Sequence, residues 1–341
     1  MKAAITDGEG KVWIDEIPMP EPNDYQCLCK HLLCASCTGT DKKHIHNKLP
    51  WKQEYPGVLG HESIGVVIEA GKKVRNYQCG DMVLRPTPIY PGDRIGDFSS
   101  MWGGFAEYGL VTDAAAWRAD DATAPVNSYS QYQLIVPEDL GLDPADAVQL
   151  ITLKEVTGYA HSVGVTLNTA TLLLGAGSVA LAFCRGIKLL GGYPLIVAAR
   201  KDWQLTLAKK IGADYVINTE KQDIREAVME ITGGAGVSRL IDATGSPQYI
   251  EKCLLALSAE GKVSAYATYP TDDPVASHIP GDKLLGGNTG EVWTHDYLLS
   301  AIRHGMVRLD DLYSHRLPLR MISEGFDMIE RKEAVKIVFD I

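Results

Sequence analysis

A short apolar run that leads directly into a glycine-rich turn constrains the fold more than any other feature. The run 171–174 is typical of a buried strand, and 175–180, with the sequence GAGSVA, follows it and opens an apolar helix. In this pattern the first glycine permits a tight turn, and the second lets the backbone approach a pyrophosphate. The free backbone N–H groups at the start of the helix can bind the phosphates of a dinucleotide. The predicted dinucleotide contacts in this turn are Gly175, Gly177, Ser178 and Val179.

The residues after this turn alternate between apolar runs and segments with helical spacing. Such alternation predicts a parallel sheet that is covered by helices on both faces, which is a doubly wound α/β fold. The predicted strands after the first are 195–199, 215–217, 240–245 and 262–267.

The end of the second predicted strand indicates which dinucleotide binds. An NAD site normally places an acid there, to accept the ribose hydroxyls. Here the strand ends at Ala199, and Arg200 and Lys201 follow. An arginine can bind a ribose phosphate through two hydrogen bonds, and a lysine adds charge, so this position predicts NADP(H). The acid Asp202 lies three residues beyond the end of the strand and is interpreted as a helix cap. For Arg200, the alternative to binding a ribose phosphate is a solvated position on the surface.

Net charge and hydropathy argue against a nucleic-acid-binding protein and against a membrane protein. The formal net charge of −10 argues against a nucleic-acid partner, because such binding needs a basic surface. No apolar stretch is long enough to cross a membrane, and the first residues lack the hydrophobic region of a signal peptide. We therefore expect a cytoplasmic protein, and 341 residues favour two domains.

The first 150 residues have short alternating runs that are separated by Gly and Pro, which predicts a mostly-β unit of barrel type. They contain Gly60-His61-Glu62, followed by an apolar strand and by a Gly-Asp-x-Val sequence at 80–83. With these motifs the chain resembles the medium-chain dehydrogenase/reductase superfamily, in its zinc-containing alcohol and polyol dehydrogenase branch. Further matching segments are 103–108, 243–245 and 334–338.

The resemblance implies a fold and an activity. A GroES-like, mostly-β catalytic domain would comprise 1–147 and 286–341, and a Rossmann domain at 148–285 would be inserted into it, with Thr244 as a further coenzyme contact. It also implies a homodimer or homotetramer. The expected function is NADP(H)-dependent interconversion of a small secondary alcohol, polyol or sugar derivative and its ketone.

In this family a catalytic zinc is held by a Cys, by the His of Gly-His-Glu and by a third residue, with the adjacent Glu as a ligand or a close partner. His61 and Glu62 match this set. The cysteine segment is offset, because the family register puts Thr38 at the ligand position and Cys37 one residue earlier. Thiolate is a much better zinc ligand than hydroxyl, which favours Cys37 if the chain bulges there.

The third ligand position holds Leu153, and Glu155 reaches the metal only if the register slips. Two interpretations therefore remain open. Either Zn²⁺ is held by Cys37, His61 and Glu62, or catalytic zinc has been lost. In the second case hydrogen-bond donors such as Thr40, Lys154 and His44 would assist reduction of a carbonyl or conjugated alkene. A noncatalytic NADPH-binding protein is a third hypothesis.

A proton relay is implied by the resemblance at Thr40, whose hydroxyl would bind the substrate oxygen. Lys43 stands where the family often has a relay histidine, and His44 follows it. A near-neutral pKa would make His44 the better shuttle, although a solvated surface histidine fits this pattern equally well.

The remaining cysteines and tryptophans have structural interpretations as well as functional ones. Four cysteines between residues 27 and 37 could form a metal cage, but an alternating strand favours burial in the core. Residues 85–105, where the family's structural-zinc lobe would fall, contain no cysteine, which predicts that a structural zinc is absent. Trp51, Trp102 and Trp293 either line the substrate pocket or pack in the core.

Overall fold

The computed structural model describes residues 1–269 and 272–341, which form two compact units. The first comprises Met1–Ile151 and His295–Ile341, and the second comprises Thr152–Thr294. Both boundaries fall inside helices, whereas the sequence-based boundaries lie at 147/148 and 285/286. None of the helices in the two described ranges is long and apolar enough to cross a membrane.

The strands are β1 Lys2–Thr6, β2 Val12–Glu16, β3 Gln26–Ala35, β4 Gly57–Val58, β5 Glu62–Ala70, β6 Met82–Leu84, β7 Arg94–Ile95, β8 Phe98–Ser100, β9 Tyr108–Thr112, β10 Ile135–Val136, β11 Thr171–Leu174, β12 Leu195–Ala199, β13 Tyr215–Asn218, β14 Val237–Asp242, β15 Leu257–Ala265, β16 His315–Pro318 and β17 Ile337–Asp340. The α-helices are α1 Thr38–Ile45, α2 Ala114–Asp120, α3 Pro144–Ala147, α4 Gln149–Ser162, α5 Ser178–Leu189, α6 Asp202–Ile211, α7 Ile224–Ile231, α8 Pro247–Cys253, α9 Glu291–Arg303 and α10 Ile322–Glu330.

The first unit is built on two mostly antiparallel sheets. One has the order β2-β1-β4-β8-β7, and the other has the order β10-β6-β5-β3-β17-β16, with β9 also paired to β3. Phe105, Phe326 and Phe339 meet edge to face or tilted in the core, with centroids 5.5–6.2 Å apart. The mostly-β, GroES-like expectation is confirmed for this unit.

The cysteines of β3 are core residues. Cys27 and Cys29 are fully buried, and they pack against the apolar side chains of Val67, Val83 and Val111. Burial of these short side chains on the inner face of a strand is the outcome that the alternation favoured.

The second unit is a five-stranded parallel sheet in the order β13-β12-β11-β14-β15. All four residues of the central strand β11 are buried, which explains why its sequence is an uninterrupted apolar run. Helices α5 to α7 form the connections between successive strands from β11 to β14. The doubly wound parallel sheet is confirmed, with β11 leading directly into the glycine turn.

Candidate coenzyme turn and metal centre

The glycine turn in the second unit has the geometry that its sequence predicts. Gly175 has φ = +106°, and a Cβ placed there would lie 3.2 Å from Cγ2 of Thr244. Gly177 is the N-cap of α5, so Ser178 and Val179 begin the helix with their N–H groups in its first turn. The turn therefore packs Thr244 against Gly175, and the helix that follows presents unpaired N–H groups that favour an anion.

A buried carboxylate that sequence reasoning missed fixes Thr244. Asp242, at the end of β14, is fully buried and accepts hydrogen bonds through both oxygens. Oδ1 accepts from the Thr244 amide at 3.1 Å and from its hydroxyl at 2.6 Å. Oδ2 accepts from the Gly245 amide at 2.9 Å and from the Tyr269 hydroxyl. The only sequence signal for this role was an acid at the end of a strand, shortly before Thr244-Gly245. The hydrogen bond from Tyr269 could not be predicted, because Tyr269 lies far along the chain.

The end of β12 carries two exposed cations. Arg200 follows the strand, and Lys201 is the N-cap of α6. Asp202 is the first helical residue and makes no capping bond, so its interpretation as a cap is wrong. Its carboxylate instead accepts from Asn218 Nδ2 at 2.6 Å and from Lys221 Nζ at 2.6 Å. The acid that directly follows these cations in the chain is therefore already engaged by other side chains.

The candidate metal centre lies in the first unit. One ligand atom from each of Cys37, His61 and Glu62 lies within 4.8 Å of the others. Cys37 is the N-cap of α1, and Glu62 is the first residue of β5. The hydroxyl of Thr38 donates to the carbonyl of Val335 at 2.9 Å. The structure thus groups the residues that the sequence analysis chose, and it directs Thr38 to a different partner.

Asp41 connects two members of this cluster and is fully buried. Its Oδ2 accepts from the Cys37 amide at 2.7 Å, and its Oδ1 lies 3.4 Å from His61 Nδ1. Burial alone would lower the pKa of His61, but interactions with Asp41 and Cys37 outweigh burial and raise this pKa well above its usual value. With Nδ1 facing Asp41, Nε2 is the nitrogen that remains for a metal, an arrangement common at zinc sites.

Glu62 forms a buried ion pair with Lys336, which belongs to the C-terminal motif. Both side chains are at most 4 % exposed. Burial of one charge without the other would be costly, so each holds its partner in position.

Thr40 and His44 both belong to α1, but they differ in exposure. Thr40 is half-buried, whereas His44 is 2 % exposed and burial lowers its pKa to about 4. The expectations of a near-neutral pKa and of a solvated surface position are therefore both wrong for His44. Its Nδ1 lies 2.9 Å from Gln53 Oε1 and 2.9 Å from Met101 Sδ.

The residues of α4 that the sequence analysis considered, Leu153, Lys154 and Glu155, belong to the second unit. Leu153 is fully buried, and Glu155 accepts a hydrogen bond from Tyr266 at 2.6 Å. Lys154, which sequence reasoning named as an alternative donor, is fully buried with its Nζ 3.4 Å from Glu291 Oε2.

Comparison with known proteins agrees with this architecture. Residues 24–121 match the alcohol dehydrogenase GroES-like domain, and residues 176–289 match the zinc-binding dehydrogenase family. The chain is 30 % identical to L-threonine 3-dehydrogenase of Pyrococcus horikoshii, over 95 % of this chain and 93 % of that protein. It is 25 % identical to D-arabitol-phosphate dehydrogenase of Enterococcus avium, over 95 % and 92 % of the two chains. The crystal structure of benzyl alcohol dehydrogenase from Acinetobacter calcoaceticus superposes with a TM-score of 0.83 at 20 % identity, covering 100 % of this chain and 99 % of that one.

The fold, the glycine turn and these likenesses together define a dehydrogenase of the two-domain type. The chain belongs to the zinc-type medium-chain dehydrogenase/reductase superfamily. It is an alcohol or polyol dehydrogenase-like oxidoreductase.

Proposed function

We propose that the protein is an NADP(H)-dependent, zinc-assisted dehydrogenase that interconverts a secondary alcohol, polyol or sugar derivative and its ketone. The observation that carries this proposal is the grouping of Cys37, His61 and Glu62 within 4.8 Å. Thiolate, imidazole and carboxylate are the donor types that zinc takes in proteins, and a catalytic site needs about three of them with one position open.

The residues around the cluster fit a zinc ion. Asp41 orients His61 and also accepts a hydrogen bond from the Cys37 amide, so one buried carboxylate positions two ligands. Zinc bound here would act as a Lewis acid that stabilises the alkoxide form of the substrate. The buried carboxylate of Asp41 beside His61 would also favour the positive charge of a metal ion bound at this ring.

Thr40 is proposed to bind the reacting oxygen of the substrate and to pass its proton toward solvent. His44 does not suit the next step of such a relay, since a pKa of about 4 keeps it neutral at physiological pH. We therefore assign to His44 a hydrogen-bonding role in place of proton transfer.

The coenzyme preference rests on Arg200 and Lys201. Both are exposed at the end of β12, and Asp202 is paired with Lys221, which reduces its repulsion of a ribose phosphate. An arginine there can form two hydrogen bonds with a phosphate. NADP(H) is therefore the proposed coenzyme.

Elemental analysis of the purified protein tests the metal. We expect about one zinc per chain, lost in His61→Ala and kept in the control His46→Ala, which replaces a 40 % exposed histidine. Full activity without bound metal would overturn the zinc assignment and leave a zinc-free reductase of a carbonyl or conjugated alkene.

The ratio of kcat/KM with NADP and with NAD tests the coenzyme. We expect the wild type to prefer NADP and Arg200→Asp to lose that preference, while Arg225→Asp, an exposed arginine of α7, keeps it. A wild-type preference for NAD would refute the assignment. NADPH binding without turnover of any substrate in a panel of alcohols and ketones would identify a noncatalytic protein.

A further inference from the structure

The turn after β13 lies directly beside the end of β12. The two strands are parallel with Asn218 opposite Ala199, and the Thr219 amide donates to the Ala199 carbonyl at 3.1 Å. Ligands of open parallel sheets bind outside the carboxyl ends of the strands, which is the edge where this turn and the cations Arg200 and Lys201 meet. Side chains of the turn can therefore influence which charges a coenzyme encounters there.

Asn218 is oriented by its own turn. Its side-chain oxygen accepts from the Glu220 amide at 3.0 Å, and its carbonyl accepts from the amides of Lys221 and Gln222 at 3.0 and 2.9 Å. The residue is only 8 % exposed. Because the side-chain oxygen is bound by the turn, Nδ2 points away from it and donates to Asp202 Oδ1 at 2.6 Å. The turn thus presents a fixed donor to this carboxylate.

A second donor completes the hold on Asp202. Lys221 Nζ lies 2.6 Å from Oδ2, so each carboxylate oxygen has its own partner. The bond from Lys221, and after it the bond from Asn218, lower the pKa of Asp202, which keeps the carboxylate ionised. Solvent screens the ion pair, because its two side chains are 64 % and 65 % exposed. Holding Asp202 in place therefore needs the Asn218 amide as well as the Lys221 ammonium.

These two bonds, which we call the tether, keep Asp202 on one side of the strand end. A cavity of about 680 Å³ lies beside α6 and β13, and its lining includes Asp202, Asn218 and Lys221. Arg200 and Lys201 are not among the described residues that line it, and neither forms an ion pair with a described residue. The acid is thus bound to residues of this cavity, and the two cations remain available to a ligand.

The charges of the strand end match a phosphate ester. Arg200, Lys201 and Lys221 are positive and Asp202 is negative, which leaves a surplus of two positive charges. A phosphate monoester carries a charge of about −1.5 to −2 at pH 7. NAD(H) has ribose hydroxyls at this position, and an unbound carboxylate is the usual partner of those hydroxyls. A held Asp202 therefore suits the phosphate, and a free Asp202 suits the hydroxyls.

We propose that Asn218 and Lys221 are positioning residues that set the coenzyme preference by holding Asp202 away from the ribose. A released Asp202 would pair with the neighbouring cations or accept from ribose hydroxyls, and either outcome favours NAD(H) over NADP(H). The inference rests on the proposed coenzyme and adds two residues that act through Asp202, not through contact with the phosphate.

Titration calorimetry of the full-length protein with NAD+ and with NADP+ tests this inference through the ratio of the two Kd values. The two coenzymes differ only at the ribose phosphate, so a folding defect would weaken both and leave the ratio unchanged. Lys221→Met should lower the preference for NADP+ about fivefold, which corresponds to about 1 kcal/mol. Adding Asn218→Ser should lower it further, because serine keeps an acceptor for the turn but is too short to reach Asp202. The control Lys210→Met removes an exposed lysine of α6 and should leave the ratio nearly unchanged.

Variants without the carboxylate separate the tether from direct binding of the phosphate. Asp202→Ala should bind NADP+ at least as well as the wild type, and in this background Lys221→Met should not change the ratio further. An equal fall in both backgrounds would show that Lys221 binds the phosphate itself and would overturn the inference. An unchanged ratio in the double variant, or an equal fall in Lys210→Met, would overturn it as well. In these cases a wild-type preference for NADP+ would leave the proposed coenzyme standing, whereas a preference for NAD+ would refute that coenzyme and the inference with it.

Discussion

Replacing Asp242 with asparagine is expected to weaken both the fold of the second unit and its affinity for the proposed coenzyme, NADP+. The carboxylate is fully buried and accepts from four donors, two on each oxygen. An asparagine oxygen can keep the two donors of Thr244. Its amide nitrogen would then face the N–H of Gly245 and the hydroxyl of Tyr269, and only the hydroxyl can rotate to accept.

The magnitude follows from this hydrogen-bond inventory. Hydrogen bonds to a charged group contribute about 1.5–3 kcal/mol, and a buried donor without an acceptor costs about 1–3 kcal/mol. Losing the Gly245 bond and weakening the Tyr269 bond should therefore lower the free energy of unfolding by about 2–4 kcal/mol. Because Thr244 and Gly245 form the turn beside Gly175, the Kd for NADP+ should rise at least about tenfold, which corresponds to about 1.4 kcal/mol.

Urea unfolding followed by circular dichroism measures the first effect, and titration calorimetry with NADP+ measures the second. Tyr269→Phe removes one donor and should give a smaller loss in both measurements. Asp282→Asn, at an exposed position of the same unit, should change the free energy of unfolding by less than about 0.5 kcal/mol. If Asp242→Asn behaved like Asp282→Asn, Asp242 would not be what holds the coenzyme turn.

Three further substitutions test other buried contacts. Burial lowers the pKa of His31 from 6.5 to about 4, so between these pH values the folded state binds fewer protons than the unfolded state. The free energy of unfolding should therefore decrease as the pH is lowered from 6.5, by about 3 kcal/mol at pH 4. In urea titrations His31→Gln should show a smaller decrease over the same pH range. Lys336→Met removes the cation beside buried Glu62 and should lower the free energy of unfolding by about 3–5 kcal/mol. The double variant that adds Glu62→Gln should recover part of this loss. Equal stability of the single and double variants would contradict this coupling. Gly175→Ala forces a side chain into φ = +106° and should reduce NADP+ affinity at least tenfold in calorimetry, about 1.4 kcal/mol, whereas wild-type affinity would show that the turn tolerates a Cβ.

The parallel sheet could be predicted because its signals are local. A four-residue apolar run, a turn that needs glycine and a helix with apolar spacing occupy one continuous segment at 171–190. The position of Arg200 at the end of β12 follows from the same periodicity. These features depend on neighbours in the chain, which the sequence displays directly.

The partners of individual polar side chains could not be predicted, because they come from distant segments. Asp202 resembled a helix cap, yet Asn218 and Lys221 from the next strand and turn bind its carboxylate. His44 had the sequence context of a surface histidine, yet Gln53 and Met101 enclose its ring. No periodicity reports such contacts.

The choice between Cys37 and Thr38 shows how a distant segment resolves an offset of one residue. The amide of Ser36 donates to the Ile337 carbonyl at 2.8 Å, and its hydroxyl accepts from the Ile337 amide at 2.9 Å, so pairing with the C-terminal strand fixes the chain up to residue 36. Any extra residue must therefore be accommodated immediately after it. The Val335 carbonyl binds the Thr38 hydroxyl at 2.9 Å and directs it away from the cluster, which leaves Cys37 as the side chain that faces His61. The ligand set in the N-terminal part of the chain thus depends on the C-terminal segment, and a substitution at Thr38 that cannot donate to Val335 should loosen Cys37 without touching any ligand.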